Sequence, residues 1–146
     1  MNRYKDLKTI FYETIEQKCH GIYKEKAYFH SIQVASLCEI YAKDRHLDIE
    51  LASIIGLFHD YAQFINQSSF NHAIRSAQML EKYLIDFSKE EVAIITHAIA
   101  RHSDKDHIDD SYSELIKDMD ILAKYYDDSS YVFKDCERKR LDTLQQ

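Results

Sequence analysis

A chain of 146 residues with no proline and only two glycines, Gly21 and Gly56, is short of the residues that reverse a backbone tightly. A many-stranded sheet needs such residues at every turn, whereas helices need them only near their ends. The expected fold is therefore all-α. The length suits one domain, residues 1–146, large enough to bury about two-thirds of its unfolded surface.

Hydrophobic spacing divides that domain into a bundle of about six to seven helices. Leu7, Ile10, Phe11 and Ile15 recur at intervals of three and four between about residues 3 and 19, one apolar helical stripe, with Gly21 as its stop. A second helix is expected over about residues 24–45, with Ala27, Val34, Leu37, Cys38 and Tyr41 on one side. Asp48 is placed to cap a third helix that runs through Leu51, Ile54, Ile55 and Phe58 to His59-Asp60. Asn66 to Ser69 reads as a loop, Asn71 as the cap of a fourth helix, and Ser88-Lys89-Glu90-Glu91 as a capping box for a fifth. The run 103–110 is too polar for core and reads as a loop. Ser111-Tyr112-Ser113-Glu114 forms a second box opening a sixth helix to about Tyr126, and a short last helix follows from Tyr131.

A net charge of −6 sits poorly with long phosphate backbones, so polymeric nucleic acid is not an expected partner, although a small anion could enter a locally positive cleft. Cys19, Cys38 and Cys136 are odd in number and lack a CxxC pair; they read as reduced thiols rather than a disulfide framework. The N-terminal residues run into an amphipathic pattern, with no continuous apolar stretch for a signal peptide or a membrane span. The expected compartment is the cytoplasm. The apolar faces of the first and last helices are those that would support a homodimer.

The chemistry lies on the inward stripes. His30 falls four residues before Val34, His72 in the first turn of the fourth helix, His102 at the end of the Val92, Ile95, Ile99 stripe, and Asp120 one turn after Ile116. A single inward histidine is most often a satisfied core residue. An inward aspartate is different, because an unpaired buried carboxylate is costly. Together with His59 and Asp60 these make six polar groups on several helices, which are hard to bury without positive charge between them. A divalent metal supplies that charge. The mixed nitrogen and oxygen donors suit Fe, Mn, Zn, Co or Ni rather than Ca, and the absence of cysteine ligands argues against structural zinc.

The order His30, then His59-Asp60, then Asp120 resembles the H...HD...D signature of the HD-domain superfamily of metal-dependent phosphohydrolases. His30-Ser31-Ile32-Gln33-Val34-Ala35 is similar to the family's first helix motif, Leu57-Phe58-His59-Asp60 to its central motif, and Lys117-Asp118-Met119-Asp120-Ile121-Leu122 to its last. The resemblance covers about residues 24–126. It implies an HD-type fold, with His30, His59, Asp60 and Asp120 as ligands of one metal ion. His72 and His102 resemble the two further ligands of members with a dinuclear centre, so one ion or two are implied. The run His59-Asp60-Tyr61-Ala62 also resembles small bacterial HD hydrolases of dinucleoside polyphosphates, but Gln63 stands where those carry Lys, and Ser76 where many relatives carry Gly.

The implied activity is hydrolysis of a phosphoester or phosphoanhydride of a small phosphorylated metabolite, a nucleotide by preference, by metal-activated water. Asp60 would take part in catalysis, and His97 could serve as an acid near neutral pH, although an ordinary partly buried histidine is the competing reading. Arg75, Arg101 and Lys124 are the candidates for phosphate counter-charge, with Arg101 also a candidate catalytic group. The rival function is a non-catalytic metal-containing module that binds a nucleotide or a partner protein.

Overall fold

The computed structural model describes residues 1–146 and contains helices but no strands. Eight helices follow in order: α1 (Asn2–Lys18), α2 (Gly21–Asp44), α3 (Ile49–Phe58), α4 (Tyr61–Ile65), α5 (His72–Glu81), α6 (Lys89–Arg101), α7 (Ser111–Asp127) and α8 (Asp135–Leu144). Sequence periodicity misses α4, whose five residues are shorter than two helical turns. It also starts α2 late. Gly21 does not merely stop α1; at φ +58° it makes the reversal and is itself the first residue of α2.

The caps explain where the elements begin. Asp48 accepts the Leu51 amide, and Ser88 with Glu91 forms a reciprocal capping box. At α7 the cap is Asp110, one residue ahead of the box expected at Ser111: its carboxylate accepts the amides of Tyr112 and Ser113. Asn71 occupies the cap position of α5, but in a left-handed conformation (φ 52°) and with no side-chain cap bond.

α3 organises the packing. Every residue from Leu51 to Phe58 is buried, so this helix has no solvent face and runs through the middle of the bundle, against α1, α2, α6 and α7. A single cluster of 31 buried residues draws on all eight helices, from Leu7, Phe11 and Ile15 in α1 to Leu141 in α8. Each fully buried Leu, Ile or Phe contributes about 1.5–3 kcal/mol relative to exposure. Where α2 crosses α3, a Cβ on Gly56 would lie 2.8 Å from the Ala35 Cα, so only glycine permits this approach. The three thiols are free, with Cys19 and Cys38 buried. No helix is long and apolar enough to cross a membrane.

Candidate metal centre

The close α2–α3 crossing sets the site. It brings His30, from the middle of α2, beside His59, at the C-terminal end of α3, with their Nε2 atoms 3.1 Å apart. The chain then kinks between Phe58 and Tyr61, and the kink presents His59 and Asp60 to the same point. Ser76 holds the kink from α5: its hydroxyl, fully buried, accepts the Ala62 amide at 2.9 Å. A glycine at this position could not make that bond.

Two ligand sets share Asp60. His30, His59, Asp60 and Asp120 form one, and Asp60, His72 and His102 the other; within each set the donor atoms lie within 4.8 Å of one another. Asp60 Oδ2 lies 3.2 Å from His59 Nε2 and 3.5 Å from His30 Nε2. Its other oxygen, Oδ1, lies 3.0 Å from His102 Nε2 and 3.2 Å from His72 Nε2. Asp120 Oδ1 closes the first set, 3.0 Å from His30 and 3.4 Å from His59.

The outer contacts fix the tautomers. His59 Nδ1 donates to the Gly56 carbonyl at 2.7 Å, His102 Nδ1 to the Ile99 carbonyl at 2.7 Å, and His72 Nδ1 to the Ser69 carbonyl at 3.0 Å. A carbonyl can only accept, so in the neutral ring each Nε2 carries a lone pair aimed into the site. Lone pairs then face carboxylate oxygens at about hydrogen-bond distance, an arrangement that requires a proton or a cation between them. Without a cation the cluster takes up protons. Burial opposes charge on His59, but Asp60 and Asp120 override it and push its pKa up to about 10. Burial likewise opposes ionisation of Asp60 and Asp120, yet the surrounding cationic groups, His59 first for Asp60 and Lys105 first for Asp120, hold both well below the usual carboxylate range. At His102 burial wins and the pKa falls. Neutral imidazoles and ionised carboxylates at these positions fit divalent metal as the charge that satisfies them.

Lys105 is the residue that periodicity does not find. It lies in the turn after α6, in the run read as a polar loop, yet it is buried, and its ammonium donates to Asp120 Oδ2 at 2.8 Å and to the His102 carbonyl at 2.7 Å. It thereby occupies one oxygen of Asp120, while Oδ1 faces His30 and His59. A lysine in a polar run carries no hydrophobic signal; its position three residues after His102 is the only clue in the sequence.

A cleft of about 710 Å³ opens onto both sets and is lined by His30, Asp60, His72, His102, Lys105 and Asp120 among others. Of the residues proposed for phosphate, Lys124 lines it, with Nζ 3.8 Å from Asp120 Oδ2, and Asp120 raises its pKa. Gln63 lines it as well. Arg75 does not. Neither do Arg101 and His97. Arg101 is one position before His102, rotated about 100° from it on the helix, and its guanidinium is engaged by Asp104 at 2.9 Å and Asp109 at 3.1 Å. His97, about half exposed, lies 3.4 Å from Asp110.

The fold and this arrangement define the class. The HD-domain profile matches residues 27–125, and the chain belongs to the HD-domain family, whose members are in general metal-dependent hydrolases. Curated relatives carry the name Ribonuclease Y: that of Chlorobium luteolum is 28% identical over 130 residues, 88% of this chain and 24% of the relative, and that of Geobacter metallireducens is 27% identical over 124 residues, 84% of this chain and 23% of the relative. The Lawsonia intracellularis protein is 32% identical over 103 residues, 69% of this chain and 19% of its own length. The chain thus spans about a quarter or less of the length of these relatives. No solved structure matches it.

Proposed function

We propose that this protein is a metal-dependent phosphohydrolase with a two-ion centre, acting on the phosphoester or phosphoanhydride of a nucleotide. The observation that carries the reading is the division of labour at Asp60, whose two carboxylate oxygens each face a different set of imidazoles. Divalent ions held by His30, His59, Asp60 and Asp120, and by Asp60, His72 and His102, would supply Lewis acidity to a phosphoryl oxygen and water acidified enough to attack phosphorus near neutral pH. The chain's own residues do the rest. The carbonyls of Gly56, Ser69 and Ile99 hold the imidazoles in the tautomer that leaves Nε2 free. Lys105 holds Asp120 in one orientation. Lys124, at the cleft wall, offers the counter-charge a phosphate needs.

Assay of metal-loaded protein against nucleoside mono- and polyphosphates, cyclic nucleotides and a generic phosphodiester tests the reading. The expected result is turnover that chelation abolishes and that Asp60→Ala lowers at least about a thousandfold, a loss of about 4 kcal/mol of transition-state stabilisation. No turnover with any divalent metal, alongside intact ligand binding, would instead support the non-catalytic binding module.

The names of the relatives favour a second substrate, an RNA phosphodiester. The net charge of −6 weighs against a long polyanion, which needs an extended basic track. Hydrolysis of a short single-stranded oligonucleotide faster than of any mononucleotide would decide for RNA.

A further inference from the structure

One stripe of α2 points four residues at the cleft: Lys26, Phe29, His30 and Gln33 all line it, at the spacing of a single helical face. Only His30 is used by the metal centre. Phe29, its immediate neighbour, is 61% exposed. Gln33, one turn on, has its side-chain Oε1 buried with no hydrogen-bond partner, an acceptor that lost water on folding and received nothing in exchange. A further wall comes from the segment between α7 and α8, where Tyr131 lines the cleft at 46% exposure, its ring backed by Phe133 at 4.8 Å between centroids.

We propose that Phe29, Gln33 and Tyr131 form a nucleoside subsite beside the metal centre. A flat base stacks on the exposed rings, and Gln33 Oε1 accepts a hydrogen bond from a ribose hydroxyl or an exocyclic amine. The phosphate then extends toward His30, Asp60 and Asp120, with Lys124 beside them. The proposal rests on the phosphohydrolase reading and assigns the residues that hold the nucleoside of its substrate. Ribose 5-phosphate has no planar π face to stack on an exposed ring. A lipid phosphate needs a continuous apolar wall, and only three of the eighteen lining residues are hydrophobic. A nucleotide matches both the sparse aromatic surface and the polar remainder.

The chain contains no tryptophan, so Phe29→Trp introduces a single fluorophore at the subsite. Adenosine 5′-monophosphate is expected to quench it, and ribose 5-phosphate at the same concentration to leave it unchanged. In parallel, Phe29→Ala is expected to lower the preference in kcat/KM for nucleoside monophosphates over ribose 5-phosphate about tenfold, chiefly through KM, as loss of one base–aromatic stack does. Phe29→Leu, which keeps apolar bulk without a ring face, should lose the preference equally and guards against misfolding of the smaller variant. Equal quenching by both probes, quenching by neither, or an unchanged preference would overturn the subsite. Selective quenching in a protein that turns over none of the nucleoside mono- and polyphosphates, cyclic nucleotides and phosphodiester above would uphold the subsite and defeat the phosphohydrolase reading, so the two failures are distinct.

Discussion

At the scale of residues, Lys105 and Gly56 shape the centre from outside the two ligand sets. Lys105 neutralises one oxygen of a buried Asp120 and joins it to the backbone of His102, so one ammonium links both ligand sets. Removing an outer partner of a metal ligand commonly costs about ten- to a hundredfold in metal affinity. Lys105→Met should therefore weaken divalent binding by about that factor in calorimetry, and unchanged affinity would show that the lysine is only structural. Gly56 acts through space: an alanine methyl would press on Ala35 at 2.8 Å. Gly56→Ala is expected to cost about 1–3 kcal/mol in denaturant unfolding and, by parting α2 from α3, to weaken metal binding as well; a neutral effect on both would contradict the account of the crossing. His30, His72, His102 and Asp120 could be singled out because each falls on, beside or at the end of an apolar helical stripe, and His59-Asp60 because the pair directly follows one. Lys105 could not, since a turn has no period and a lysine advertises exposure. Arg101, one position before His102, falls on a different helical face, and His97, five positions before it, lies off the same stripe and beside Asp110.

At the scale of elements, α7 and the turn before it are braced by charge. Lys117, fully buried, donates to Asp109 and to the His107 carbonyl; Arg101 also reaches Asp109, while Arg140 from α8 spans Glu114, Asp118 and the carbonyls of Lys105 and His107. The brace fixes the turn that carries Lys105. Its hydrogen bond from Lys117, then that from Arg101, lower the pKa of Asp109 to about 2. A carboxyl depressed on folding stabilises the native state above its unfolded pKa of about 4 and loses that contribution as pH falls toward 2. Thermal melts of the wild type should thus weaken between about pH 4 and pH 2, and Asp109→Asn should flatten that limb while lowering stability at pH 7. An identical acid limb in both proteins would assign the transition to other carboxylates. The existence of α1 to α3 and α5 to α7 was legible from stripes and capping residues, whereas the last helix starts at Asp135 rather than Tyr131. α4 was not legible, because one and a half turns carry no period, and its position depends on a tertiary bond from the Ala62 amide to Ser76.

At the scale of the whole molecule, a solvent-free central helix ends at a kink, and the bundle closes around that kink from α2, α5, α6 and α7. The fold therefore buries acidic and imidazole groups at its centre, where a bound cation would satisfy them. Ligand that binds only the native state stabilises it by mass action, about 2.7 kcal/mol at a hundred times Kd, so chelation should lower Tm and added divalent metal restore it. The most direct test of the centre is the number of ions bound per chain, measured by anomalous diffraction and by elemental analysis of manganese-loaded, tag-free protein. Two ions on either side of Asp60 in the wild type, and loss of both sites in Asp60→Ala, is the result expected; no bound ion, or full occupancy in Asp60→Ala, would contradict the shared-carboxylate centre.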